Sequence, residues 1–283
     1  MLYGNCVSYK DIQHLKILKE TGFDYAETAL SQLYTATKGQ IDDFAGALSQ
    51  NQLECAAVNV MFPGDIRLTG ENAEFARVGE YLDEVLEKTK ALKFGRVVFG
   101  SGGARKVPEG FGKEAAMEQL VGLICDHLVP AARKYDFVIV VEELNKGETN
   151  ILNYIGECAD LVKRVNIPRV RLLADLYHIA LENDDLDKLP GYGDILAHCH
   201  IANPYDSRFY PRATDAPEAV ALYKKFFEKL RAAGYAGGVT IEGKLDATTD
   251  TKDIQIPAWV GEEDKLFYAN SKKSLEFMKA INN

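Results

Sequence analysis

Four side chains of the kinds that bind metal ions each stand at the end of a short, strand-like apolar run. They are Glu142, Asp175, His200 and Glu242. Three carboxylates and one imidazole suit a hard or borderline divalent cation, whereas thiolate-rich sets select zinc. The residue types therefore predict one bound divalent metal ion, with Mn²⁺ as the first expectation and Mg²⁺, Co²⁺ and Zn²⁺ as alternatives.

The metal prediction depends on the succession of all four residues, because a single Asp or Glu at a strand end is more often a helix cap or a surface charge. His198 competes with His200, since residues two apart point to the same side of a strand. The position of His200 at the very end of its run favours His200 as the ligand.

The elements that must position these side chains alternate between strand-like and helical patterns. A run as apolar as residues 137–141 is typical of a parallel strand covered on both faces. We predict strands at residues 2–6, 23–27, 53–60, 96–99, 137–141, 170–175, 195–201 and 237–242. We predict helices near residues 11–21, 38–50, 72–92, 113–135, 150–165, 180–190, 216–233 and 263–281.

Eight such units favour a single (β/α)8 TIM barrel, one domain over residues 1–283, rather than an open doubly wound sheet. The active site of such a barrel lies at the C-terminal ends of its strands, which is where the four side chains accumulate. The long irregular stretch 243–262, which contains Trp259, is expected to act as a lid or a subunit contact.

The composition excludes several classes of partner. A formal net charge of -9 repels polyanions, so nucleic acid is not expected to bind. Five scattered cysteines without a C-x-x-C pair indicate reduced thiols. No apolar run approaches the roughly 20 residues of a membrane span, and the N-terminus lacks the build of a signal peptide. We therefore expect a cytoplasmic protein with no membrane partner.

Several segments resemble those of the ketose 3-epimerases, within the broader xylose isomerase-like barrel superfamily. Residues 142–149 are similar to their Glu-Pro-Leu-Asn-Arg-aromatic-Glu-Thr segment, and residues 175–178 to their Asp-Thr-Phe-His segment. Residues 21–27 and 234–242 resemble the first and last units of the same fold. Glu143, Lys146 and Gly147 depart from the pattern, because they stand where the epimerases have proline, arginine and an aromatic residue.

The resemblance implies roles for individual residues. The four residues named first would hold the metal, and Glu142 and Glu242 would also be the catalytic acid/base pair. Glu148 and His178 would hydrogen-bond the sugar. The arginine that follows the metal-binding histidine in the family would correspond to Arg208, with Arg212 as its competitor.

These residues predict an isomerase of carbohydrate metabolism, namely a metal-dependent epimerase or isomerase of a small sugar or sugar phosphate. The metal would stabilise a cis-enediolate, and a carboxylate on each face would exchange the proton. A single working face would instead give aldose–ketose isomerisation. By resemblance, a homo-oligomer is expected.

Three alternatives remain open. An inosose-type dehydratase would use the same metal site to eliminate water. A sugar-binding barrel without catalysis is the second. The third is an endonuclease IV-like DNA repair enzyme, which would need histidines at the ends of strands three and four, where residues 58–60 and 98–100 contain none.

Overall fold

The strands pair in chain order, and the last pairs with the first, so that the sheet closes into a parallel barrel. A computed structural model describes residues 1–282 of the chain. The strands are β1 (Leu2–Cys6), β2 (Tyr25–Ala29), β3 (Glu54–Asn59), β4 (Arg96–Phe99), β5 (Val138–Val141), β6 (Val170–Asp175), β7 (Leu196–Ile201) and β8 (Gly238–Ile241). The predicted (β/α)8 barrel is confirmed. The domain limits of 1–283 stay a prediction, and Asn283 lies outside the described residues.

Helices surround the barrel and fill the connections between its strands. They are α1 (Gln13–Thr21), α2 (Leu30–Thr35), α3 (Lys38–Gln50), α4 (Phe75–Thr89), α5 (Gly102–Arg105), α6 (Lys113–Leu123), α7 (Val129–Tyr135), α8 (Ile155–Val165), α9 (Leu176–Leu181), α10 (Pro217–Ala232) and α11 (Lys265–Asn282). Short 3-10 turns occur at Lys90–Leu92, Leu186–Tyr192 and Glu262–Asp264, and a π-helical turn at Ile124–Leu128 joins α6 to α7. In the described part of the chain, none of these helices is long and apolar enough to cross a membrane.

Local sequence signals explain several helix ends. Thr37 caps α3 by accepting a hydrogen bond from the Gln40 N–H, and the side-chain oxygen of Gln40 accepts one from the Thr37 N–H. Gly22 ends α1 with a φ of 95°, a left-handed conformation that glycine adopts without a steric cost. These ends fix where the chain turns back towards the next strand.

Two layers of side chains fill the barrel near its C-terminal end. Val98, Val140 and Leu173 form a small buried apolar cluster, separate from the large core between the sheet and the helices. Strand side chains alternate between faces, so the residues two positions further on point to the same interior. Those residues include Glu142 and Asp175, and the candidate site therefore lies directly above an apolar floor.

The segment between β8 and α11 is anchored at both ends. The backbone N–H of Asp246 donates to the side chain of Asn270 in α11, at 3.2 Å. Trp259 is 40% exposed, and the Lys16 ammonium of α1 lies 4.0 Å from its ring centroid. The segment thus packs against the first and last helices, while its expected role as a lid or a subunit contact stays a prediction.

Candidate metal centre

The structure brings Glu142, Asp175, His200 and Glu242 together at the mouth of the barrel. Each offers one ligand atom, and these atoms all lie within 4.8 Å of one another. Nδ1 of His200 lies 2.9 Å from Oε1 of Glu142 and 3.2 Å from Oε2 of Glu242. The first three residues are buried, and Glu242 is partly exposed, so the cluster faces the open end of the barrel.

Asp175 serves two purposes at the end of β6. Its Oδ1 accepts a hydrogen bond of 2.8 Å from the Tyr177 N–H and so caps α9. Its Oδ2 faces the cluster, 3.4 Å from the Arg208 guanidinium. The same carboxylate therefore both begins a helix and contributes an oxygen to the site.

Two neighbouring residues give the glutamates their positions. A Cβ added at Gly100 would lie 2.1 Å from Oε2 of Glu142, so only glycine leaves room for this carboxylate. Asn59, at the end of β3, donates a 2.8 Å hydrogen bond from its Nδ2 to Oε1 of Glu242. Residues that follow or end β3 and β4, outside the range 142–242, thus also contribute to the site.

A buried carboxylate orients the imidazole of His200. Oε1 of Glu27 lies 3.0 Å from Nε2 of His200, and its Oε2 lies 2.8 Å from Nε2 of His198. All three side chains are fully buried. Burial acts to raise the pKa of the Glu27 carboxyl, but the two imidazoles outweigh it and lower that pKa well below its ordinary value. An ionised Glu27 accepts Nε2–H of His200, so that in the neutral imidazole Nδ1 would have a lone pair to offer a cation.

Glu27, His198 and His200 form a second group with the composition of a metal site. Their nitrogen and oxygen atoms already bond one another, and no side chain of the trio reaches solvent. We therefore assign Glu27 and His198 to the support of His200. This placement agrees with the expectation that His200, rather than His198, faces the cluster.

Arg208 lies across the mouth of the barrel. Its NH2 group is 2.5 Å from Oε2 of Glu242, its Nε donates to the Glu242 carbonyl at 3.0 Å, and its NH1 is 3.6 Å from Oε1 of Glu148. Ser207 and Arg208 both have a positive φ, 49° and 58°, which turns the chain back towards β8. The ring centroid of Tyr177 lies 4.7 Å from Cζ of the Arg208 guanidinium.

Arg212 points elsewhere. Its guanidinium bonds the carboxylates of Asp215, at 3.1 Å, and of Asp246, and both acids are buried. It lines a groove of about 900 Å³ along α11, which contains none of the four cluster residues. Of the two competing arginines, Arg208 is the one that contacts the cluster.

The two glutamates of the cluster differ in their electrostatic surroundings. Burial is the main reason that the pKa of Glu142 is raised, and the charges of Glu242 and Asp175 add to it. Burial also acts to raise the pKa of Glu242, but the charges of His200 and Arg208 outweigh it and lower this pKa to about 2. Of the two glutamates, Glu142 therefore has the higher proton affinity.

Glu148 and His178 border the cluster on the side of β5 and β6. Nε2 of His178 lies 3.5 Å from Oδ2 of Asp175, and the imidazole is fully buried. Glu148 keeps 42% of its side chain exposed while it contacts Arg208. Asn145 joins the two, with Nδ2 2.9 Å from Nδ1 of His178 and 3.1 Å from Oε1 of Glu148.

The cluster fits a divalent cation. It gathers three carboxylates and one imidazole, whose Nδ1 can offer a lone pair when Nε2–H donates to Glu27. These are donors that Mn²⁺ and Mg²⁺ accept, and no cysteine thiol belongs to the group. The site is therefore a candidate divalent metal site.

Sequence reasoning missed Glu27, Asn59 and Asn145. Glu27 carried a weaker signal than the other acids, because the strand-like run before it, residues 23–26, contains Asp24. Asn59 and Asn145 are neutral amides beside strand ends, and such residues are common in ordinary turns. Their roles appear only once the barrel brings distant strands together.

Comparison with known proteins gives the same fold and a consistent group of relatives. A family model described as "Xylose isomerase-like TIM barrel" matches residues 15–264. A "3-dehydro-D-guloside 4-epimerase" of Escherichia coli (strain K12) is 30% identical over 121 residues, which are 42% of this chain and 44% of that protein. A "Ketose 3-epimerase" of Arthrobacter globiformis is 22% identical over 229 residues, or 79% of this chain and 74% of that protein. The first match thus spans less than half the length of its relative.

Solved structures of related barrels superimpose over nearly the whole chain. The D-psicose 3-epimerase from Clostridium cellulolyticum H10, crystallised with D-tagatose, has a TM-score of 0.77 at 18% identity, with 100% of both chains covered. The apo form of a 3-keto-D-glucoside 4-epimerase from E. coli has a TM-score of 0.76 at 20% identity, with 99% of both chains covered. At these identities the likeness shows the fold.

Proposed function

The chain belongs to the xylose isomerase-like TIM barrel family, and from this membership and the geometry of the barrel mouth we propose that it is a metal-dependent sugar epimerase. Its curated relatives are sugar epimerases, which act on ketoses or on keto-glycosides according to their names. The proposed substrate is accordingly a small ketose or a related keto sugar, and the proposed cation is Mn²⁺.

One observation carries the proposal, namely that two carboxylates flank the cluster. Glu142 follows β5 and Glu242 follows β8, while the strands between them supply Asp175 and His200. The two glutamates therefore approach the centre of the mouth from opposite sides of this arc. Inversion at a carbon beside a carbonyl needs a proton acceptor on one face and a proton donor on the other.

Each of the four cluster residues would hold the cation with one ligand atom. When bound, the cation supplies positive charge that stabilises negative charge on the carbonyl oxygen of the substrate. One glutamate removes the proton from the carbon beside the carbonyl, which leaves a cis-enediolate. The other glutamate delivers a proton to the opposite face of the same carbon, and the configuration is inverted.

Three further residues are placed to bind and orient the sugar. Arg208 bonds Glu242 and contacts Glu148, so it fixes the direction of one catalytic carboxylate. Glu148 keeps an exposed oxygen at the rim for a sugar hydroxyl. His178 presents its ring beside Asp175, where a substrate oxygen near the cation would lie.

The test is turnover of a panel of ketoses, keto-glycosides and inososes with saturating Mn²⁺ in D₂O. We expect an epimer that carries one solvent deuterium at the inverted carbon. Glu142→Gln and Glu242→Gln should each lose at least about 100-fold in kcat while still folding, because each removes one of the two proton-transfer groups. Metal content is measured in both variants.

Any other result of the turnover test would point to a different function or mechanism. Loss of water would assign the chain to the dehydratases, and an aldose product would indicate isomerisation through one face. Full activity in both glutamine variants would overturn the acid/base assignment. Absence of reaction with every sugar would support the binding-protein alternative.

A further inference from the structure

The hydrogen bonds around Asn145 determine which nitrogen of His178 carries a hydrogen. The backbone N–H of Gly147 donates to Oδ1 of Asn145 at 2.9 Å. Because an N–H group can only donate, this contact fixes the orientation of the amide and places the NH₂ group opposite. Nδ2 of Asn145 then faces Oε1 of Glu148, at 3.1 Å, and Nδ1 of His178, at 2.9 Å.

Nδ1 of His178 therefore meets two donors. The second is the backbone N–H of Asn145 itself, at 3.2 Å. A ring nitrogen that accepts hydrogen bonds carries a lone pair and no hydrogen. The neutral ring of His178 consequently has its hydrogen on Nε2.

The other ring nitrogen of His178, Nε2, lies beside Asp175. Nε2 of His178 is buried and has no hydrogen-bond partner among the described residues, and Oδ2 of Asp175 lies near it at 3.5 Å. In the other tautomer, Nε2 would direct a lone pair at this carboxylate, which is electrostatically unfavourable. The contacts on both nitrogens thus favour the same tautomer.

The absence of a side chain at residue 147 is part of this arrangement. A Cβ at Gly147 would lie 2.8 Å from Oδ1 of Asn145, closer than such contacts allow. A larger residue there would require Oδ1 of Asn145 to shift from its present position. Gly147, which departs from the epimerase pattern, therefore allows this contact of Asn145.

We propose that Asn145 is a positioning residue that holds His178 in its Nε2–H tautomer, so that the imidazole donates a hydrogen bond to a substrate oxygen beside Asp175. The substrate part rests on the proposed function, whereas the tautomer is a property of the protein alone. A donor at this position favours an oxygen on which negative charge develops.

The tautomer is measured first, by long-range ¹H–¹⁵N NMR of histidine rings in the metal-free protein. The signals of His178 are those missing from His178→Ala. We expect an unprotonated Nδ1 and a protonated Nε2 in the wild type. In Asn145→Asp a carboxylate oxygen faces Nδ1, so Nδ1 should become protonated. A wild-type ring protonated on Nδ1 overturns the proposal, whatever the chain catalyses.

Kinetics test the consequence for substrate. We expect kcat/KM of Asn145→Asp to fall about 10- to 100-fold, the effect of one misdirected hydrogen bond, while the Kd for Mn²⁺ stays within about twofold. Asn153→Asp is the matched control, because Asn153 is buried in the same loop but its side chain bonds only the carbonyls of Leu144 and Thr149. It should keep kcat/KM and the wild-type tautomer.

A double-mutant cycle separates positioning from general damage to the loop. If Asn145 acts through His178, adding Asn145→Asp to His178→Ala should cause no further loss of kcat/KM. A further loss as large as that in the wild-type background would overturn the positioning role. If no sugar reacts, the proposed function fails, and the NMR result still decides the tautomer.

Discussion

The substitution Glu27→Gln tests whether a buried carboxylate determines the affinity of the metal site. Both oxygens of Glu27 accept hydrogen bonds from imidazole nitrogens, at 2.8 Å from His198 and 3.0 Å from His200. Glutamine keeps one oxygen and replaces the other by an NH₂ group. The N–H of one imidazole would then face the NH₂ group, which is also a donor. The ring that faces this group must carry its hydrogen on Nδ1 instead.

The consequence for the cation follows from the position of His200. If its Nδ1 carries the hydrogen, the nitrogen that faces Glu142 and Glu242 cannot bind a metal. Partners that orient a metal-binding histidine are generally worth about 10- to 100-fold in affinity. This corresponds to about 1.4–2.7 kcal/mol. We expect the Kd of Glu27→Gln for Mn²⁺ to rise by that factor, because even a glutamine oxygen that stays on Nε2 of His200 lacks the negative charge that strengthens Nδ1 as a ligand.

The assay is calorimetric titration of the metal-free protein with Mn²⁺, with the absorption spectrum of bound Co²⁺ as a second measure of the ligand field. Thr240→Val is the matched control, since Oγ1 of Thr240 lies 3.3 Å from Nε2 of His198 and makes no hydrogen bond to His200. Its Kd should stay within about twofold of the wild type. A folded Glu27→Gln protein with the wild-type Kd and Co²⁺ spectrum would refute the reasoning.

Two other substitutions separate the site from its scaffold. Arg208→Ala should lower kcat/KM about 100-fold with little change in stability, because a partly exposed guanidinium orients Glu242. Arg212→Ala should lower the free energy of unfolding by about 3 kcal/mol, since it leaves two buried carboxylates unpaired. The second substitution should leave kcat unchanged. Urea denaturation and sugar turnover measure both, and the reverse pattern would exchange the roles of the two arginines. Gly100→Ala should weaken Mn²⁺ binding at least about tenfold, because the new methyl group displaces Glu142. Gly46→Ala is the control and should leave Mn²⁺ binding unchanged, because a Cβ at Gly46 would have no neighbouring atom within 4 Å. Equal affinities of the two variants in calorimetric titration would contradict this prediction.

Most of the fold could be predicted because the strands are apolar on both faces and the helices between them are amphipathic. All eight strands lie within about two residues of their predicted positions. The short helices α2 and α5 were missed, since six and four residues carry too little of the helical period to be recognised. The helix expected near 180–190 begins at Leu176 instead, because Asp175 caps it directly at the end of β6.

The residues of the site also divide into those that could be predicted from the sequence and those that could not. The four residues at the ends of β5 to β8 could be predicted, because parallel strands bring their C-terminal ends to one edge. The choice of Arg208 over Arg212 could not, since it depends on two successive left-handed residues, neither of which is a glycine or an asparagine. Glu27 could not be assigned a role either, because its partners come from β7, which is distant in the sequence and not adjacent to β2 in the barrel.

The two histidines of the mouth show why such supporting residues decide the chemistry. His200 belongs to the cluster and His178 borders it, yet the groups that orient the two rings are opposite in kind. Glu27 accepts a hydrogen from Nε2 of His200, which leaves a lone pair on Nδ1 for a cation. Asn145 donates to Nδ1 of His178, which leaves a hydrogen on Nε2 for a substrate oxygen. A carboxylate behind one ring and an amide behind the other would thus prepare one imidazole to bind a cation and the other to donate a hydrogen bond.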